Sequence, residues 1–209
     1  MKGLPFDNLT PTTTWQSRNP TTMTMTMKLR YITGRGGSTT QGLSLFLSTL
    51  VEDYQALANN SELHKLSIDG QINVIRGFCE PATHIIANSY GAYLWLLSRI
   101  DATPSSARVL LLSPVMGRSV DPEKIVLSRP PRLGGLETAV SDGRVCMPTS
   151  IKVYTGRDDP ICDYRTAQKQ CALLGIVALH ILERETHALS HSAVANATAE
   201  FLLTSATNC

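Results

Sequence analysis

An α/β fold, with a mostly parallel central sheet and helices on both faces, is what this 209-residue sequence predicts. Two observations carry that reading. Short apolar, β-branched runs recur through the chain: Lys28 to Thr33, His84 to Ala87, Arg108 to Leu112, Ile151 to Thr155 and Ile176 to Leu182. Those at His84 to Ala87 and Arg108 to Leu112 read as buried strands of a parallel sheet. Between them lie segments with apolar residues at helical spacing, the alternation expected of βαβ units. The length suits one domain with a full core, here assigned to residues 28 to 209.

Composition narrows the function classes. Hydrophobic residues make up 43% and charged residues 17%, and 19 basic against 17 acidic side chains leave a net charge of +2. No basic cluster marks a nucleic-acid surface. No apolar run is long enough to predict a transmembrane helix, so no membrane partner is expected. The five cysteines, Cys79, Cys146, Cys162, Cys171 and Cys209, form no CxxC spacing. They read as free thiols in a reducing compartment, which places the protein in the cytoplasm, and not as metal ligands.

Residues 1 to 27 stand apart. They are rich in threonine, end in the alternation Met23-Thr24-Met25-Thr26-Met27, and hold no apolar core of the kind a secretory signal needs. A disordered leader is expected there. After the first strand comes Gly34-Arg35-Gly36-Gly37-Ser38, and Ser38 with Gln41 fits a capping box. Leu43, Phe46, Leu47, Leu50, Val51, Tyr54 and Leu57 then predict one helix, broken at Asn59-Asn60-Ser61. Leu63 to Ile68 reads as a short strand and Gln71 to Cys79 as a short helix ending before Pro81. Residues 117 to 149 show no clear periodicity and read as a long loop or small cap. A helix over 163 to 174 puts Ala167, Cys171 and Leu174 on one face and ends at Gly175. A last helix runs from about Ser192 to Leu203.

The sharpest local pattern is Thr83 to Ile100. An apolar strand meets Asn88-Ser89-Tyr90-Gly91, and an almost wholly apolar helix follows. The serine sits at the bend, with Ala87 two residues before and Gly91 two after. Small residues suit a turn so tight that neighbouring backbone packs on both sides. A serine hydroxyl needs a base to take its proton, and the base needs a partner to fix its tautomer. The chain offers each part just after a strand, where functional loops of parallel sheets gather. Ser89 follows the strand at His84, Asp158 and Asp159 follow the strand at Ile151, and His187 follows the last strand, with His191 close behind.

Ala87-Asn88-Ser89-Tyr90-Gly91 resembles the nucleophile elbow of the α/β-hydrolase family, G-x-S-x-G with alanine for the first glycine, and the order Ser, Asp, His is the order that family uses. The resemblance spans roughly Leu29 to Leu203 and points to small, single-domain esterase-like members with a minimal cap. It also rests on Tyr154-Thr155-Gly156-Arg157-Asp158-Asp159-Pro160, where the aspartate lies three residues after a glycine and before a proline, and on Thr186-His187-Ala188-Leu189. Two features depart from the pattern. Thr33-Gly34 stands where members often have His-Gly, and Thr186 stands where a glycine usually precedes the histidine. The resemblance implies hydrolysis of a small-molecule carboxylic ester or thioester. Ser89 is the implied nucleophile, His187 the base and then acid, and Asp159 the orienting carboxylate. Backbone N–H groups of Tyr90 and of Arg35 or Gly36 would hold the oxyanion. No metal or organic cofactor is implied. Arg35 and Arg157 are candidates for binding an acidic group on the substrate; the plainer reading has them facing solvent or paired with Asp158 and Glu185. Two other classes stay open: a non-catalytic binding protein of the same fold, and a nucleotide-binding α/β protein using the glycine loop at 34 to 38.

Overall fold

A computed structural model describes residues 27–117 and 131–203 of the chain. The leader expected over residues 1 to 27 lies outside them apart from Met27, as does the 118–130 part of the expected loop. Six strands form one sheet: β1 (Lys28–Arg35), β2 (Asp53–Asn59), β3 (His84–Asn88), β4 (Arg108–Leu112), β5 (Ile151–Gly156) and β6 (Ala178–Leu182). Their spatial order is β2-β1-β3-β4-β5-β6 and every pair is parallel. The helices are α1 (Gly42–Ser48), α2 (Ser61–Lys65), α3 (Ile68–Cys79), α4 (Ser89–Ser98), α5 (Leu133–Ser141), α6 (Tyr164–Leu173) and α7 (His191–Leu203).

Alternate strand residues feed two cores, because successive side chains point to opposite faces. Ile32, Ile85, Ala87, Val109, Leu111 and Val153 pack under α3, α4 and α6. Leu29, Tyr31, Ile86, Leu110, Leu112 and Tyr154 pack under α1 and α7, against Leu47, Ala197 and Phe201. Helix α4 is buried from Tyr90 to Ser98. A helix that is apolar all round has no solvent face to present, and this one lies between the sheet and α3.

Two sequence expectations are corrected. The single helix expected from Ser38 to Leu57 is α1 followed by strand β2. Helix α1 begins at Gly42 with Gln41 as N-cap, and no side chain caps it; Ser38 instead accepts the amide of Thr40. Tyr54 and Leu57 then face opposite cores, as residues three apart do on a strand. Pairing with β1 from Asp53 to Asn59 overrides their helical spacing. The strand expected at Leu63 to Ile68 is instead the end of the short helix α2, a two-residue link and the start of α3; α2 is capped by Asn60, whose side chain accepts the amides of Glu62 and Leu63. Within the expected loop after residue 117, 133–141 forms α5, tied to α3 by the ion pair Arg132–Asp69.

Candidate active site

The bend from β3 into α4 places Ser89 at φ +52°, the left-handed region that costs a non-glycine residue of order 1–2 kcal/mol. Its surroundings enforce the bend. A Cβ on Gly91 would lie 2.2 Å from the Thr33 carbonyl oxygen, so only glycine lets α4 lie this close to β1. A Cβ on Gly34 would press on Ser89 Cβ at 3.1 Å. Ala87, where the elbow pattern has its first glycine, is wholly buried beneath the turn.

Ser89 Oγ lies 2.8 Å from His187 Nε2, and His187 Nδ1 lies 2.8 Å from Asp159 Oδ2. Three residues from three loops thus form one hydrogen-bonded line at the carboxyl edge of the sheet. The Asp159 side chain is fully buried, while that of His187 keeps 22% exposure. The other Asp159 oxygen accepts the amides of Ile161 at 2.7 Å and Cys162 at 3.0 Å. A buried carboxylate fixed on both oxygens cannot turn away from the imidazole. Asp158 is exposed, and its amide donates to the Glu185 carbonyl at 3.0 Å, joining the loop after β5 to the loop after β6. His191 opens α7 and is exposed. Geometry therefore separates Asp159 from Asp158 and His187 from His191.

Tyr90 lies in the first turn of α4, so its N–H has no partner within the helix. The Gly36 N–H is turned away: it donates to the Asn59 carbonyl at 2.8 Å, and that of Gly37 donates to Gly34. Those two bonds also remove amides a phosphate would need, and α1 starts only at Gly42. The Arg35 guanidinium lies 4.6 Å from the centroid of the Tyr90 ring, and the His64 ring packs 5.7 Å from the same tyrosine. Burial first, then the Arg35 charge, lowers the His64 pKa. Arg157 is bound to Glu183 at 2.6 Å and stacks on Tyr164, so its partner is neither Asp158 nor Glu185. Burial pushes the Cys162 thiol up to about 12, which leaves no thiolate to compete with Ser89. Among the described residues no cluster of His, Cys, Asp or Glu is arranged to hold a metal ion, and no helix is long and apolar enough to cross a membrane.

The cleft over Ser89, about 670 Å³, is lined by Arg35, Gln41, Tyr90, Val115 and Ile161 among others. A second cavity of about 540 Å³ shares the wall formed by Leu43, Asn88, His187 and Ala188. Sequence reasoning passed over both that cavity and Asn88. It also noted Gly156 only by its distance from the aspartate. A Cβ at Gly156 would lie 2.2 Å from the Glu185 carbonyl oxygen and 2.5 Å from that of Thr186, so glycine is what lets the histidine loop seat on β5.

No protein-family model and no curated protein matches the sequence. Solved structures match in fold. The ydeN gene product from B. subtilis aligns with a TM-score of 0.60 at 15% identity, over 85% of this chain and 100% of that one. Est1E from Butyrivibrio proteoclasticus aligns at 0.58 and 15%, over 86% and 88%. The esterase Est2 from Thermogutta terrifontis, with butyrate bound, aligns at 0.58 and 14%, over 87% and 84%. At such identities the likeness is one of architecture, and the chain has the α/β-hydrolase fold.

Proposed function

We propose that this protein is a serine hydrolase that cleaves a small-molecule carboxylic ester or thioester through an acyl-enzyme. The observation that carries the reading is the unbroken line from Ser89 Oγ through the His187 ring to the buried Asp159 carboxylate. Ser89 Oγ attacks the carbonyl carbon as its proton passes to His187 Nε2. The carbonyl oxygen takes the electron pair and is held by the Tyr90 and Arg35 amides; the Gly36 amide is already engaged. Collapse of this intermediate breaks the bond to the leaving oxygen or sulfur, which takes the proton from Nε2. Water then repeats the sequence on the acyl-serine, with His187 again taking and returning a proton, and the acid departs. Asp159 stays ionised and holds the Nδ1–H tautomer.

An acidic substrate group has less to bind than two free arginines would offer. Arg157 is neutralised by Glu183, which leaves Arg35 at the cleft. The decisive experiment is labelling with a small fluorophosphonate. Wild type should be labelled once, and Ser89→Ala should remain folded and unlabelled. Equal labelling of both proteins would end the assignment.

A further inference from the structure

The second cavity is lined by residues of α1 and α7, with Asn88, Leu112 and the loop from His187 to Leu189. Leu43, Phe46, Leu112, Leu189, Val194 and Ala195 make most of its wall. Among the described residues that wall contains no Lys, Arg, Asp or Glu. The cavity and the catalytic cleft are lined in common by Gly42, Leu43, Asn88, His187 and Ala188. A substrate arm extending from the cleft into the cavity would pass these shared residues, His187 among them. The reaction fixes which arm this is. His187 Nε2 gives its proton to the leaving atom, so the part of the substrate against His187 is the part beyond that atom.

We propose that this cavity receives the leaving group, and that the preferred leaving group is an uncharged aliphatic alcohol or thiol with an unbranched chain of several carbons. The inference rests on the serine-hydrolase reading above. A preformed, largely apolar recess gains affinity with each methylene it takes from water, and a charged chain would lose its hydration there to a wall whose polar side chains are Asn88, His187 and His191.

The test compares two matched series on the wild-type protein: acetates of alcohols from methanol to octanol, and methyl esters of acids from acetic to octanoic. In the alcohol series kcat/KM should rise about fourfold per methylene, the equivalent of about 0.8 kcal/mol, up to the chain that fills the cavity. The acid series should show no such rise. In Ala195→Trp and in the milder Leu43→Phe, the ratio of octyl to methyl acetate should fall at least tenfold. Free 1-octanol should inhibit wild type competitively, and octanoate should be weaker; that measurement needs no variant to fold. Fluorophosphonate labelling separates the two levels. A labelled protein with a flat alcohol series, or with its gain in the acid series, overturns the placement of the leaving group and leaves the serine reading standing. Absence of both labelling and hydrolysis overturns that reading and this inference with it.

Discussion

Gly156→Ala tests how the histidine is held in place. The new Cβ would stand 2.2 Å from the Glu185 carbonyl oxygen, where ordinary contact begins at 3.4 Å, so loop or strand must retreat by about 1.2 Å. The obstructing atoms are backbone and cannot swing aside as a flexible side chain would. His187 is only two residues past Glu185, and the Asp158 amide holds that carbonyl. The retreat therefore carries the imidazole away from Ser89 and Asp159, whose hydrogen bonds to it are both 2.8 Å. Overpacking of this kind costs about 1–3 kcal/mol of stability. A displacement of about 1 Å at a reacting group costs on the order of a hundredfold in rate. Urea unfolding gives the first quantity, and the fluorophosphonate labelling rate gives the second. Gly134→Ala, in α5 with nothing within 4 Å of its would-be Cβ, is the control and should lose neither. A Gly156→Ala protein labelled within twofold of wild type would refute the claim that the β5–β6 contact positions the base.

Ser89→Gly should be unlabelled and more stable than Ser89→Ala by about 1 kcal/mol, because glycine alone relaxes at φ +52°; equal urea midpoints would count against strain at the bend. Asp159→Asn should lower kcat by on the order of 10⁴-fold with the fold intact, since the tautomer is no longer fixed, whereas Asp158→Asn, exposed and engaged through its backbone, should change kcat less than about threefold. His84, in β3 against Phe201, has its pKa lowered to about 4, chiefly by burial and then by Arg108. The unfolded chain therefore binds the proton more tightly. Stability should be full above about pH 6.5 and fall by at most about 3 kcal/mol as pH drops to 4; urea midpoints at pH 7, 5.5 and 4 should show this slope, and His84→Gln should flatten it.

Five of the six strands were legible, the innermost because helices cover both faces of the sheet. Ile85, Ile86 and Ala87, or Val109 to Leu112, could then be apolar without alternation. The site was legible for a related reason: parallel strands deliver their following loops to one edge, so Ser89, Asp159 and His187 converge from order alone. Strand β2 was not legible. Among the described residues it pairs on one side only, most of its residues are half-buried, and Tyr54 and Leu57 fall by chance on a helical period continued from α1. Asn60 was read as a breaker when it is a cap; the signal was present, and its direction was missed. The loss of the Gly36 amide to Asn59, and of Arg157 to Glu183, depends on partners 23 and 26 residues away that no local pattern announces.

Among the described residues strand β6 pairs with β5 alone, and all five of its residues are only half-buried. Such an edge is where native proteins open first, at a fraction of the free energy that unfolds the interior. Here the edge strand carries His187, the proposed general base, on the loop that follows it. The proposed catalytic competence is thereby tied to one of the two edges of the sheet. Backbone amides of β6 should exchange with solvent at the same opening free energy at which activity disappears under mild denaturant, while amides of β3 and β4 stay protected. The molecule would then switch off by unzipping one margin, with the nucleophile's own turn still folded, and switch on again as soon as five residues re-pair.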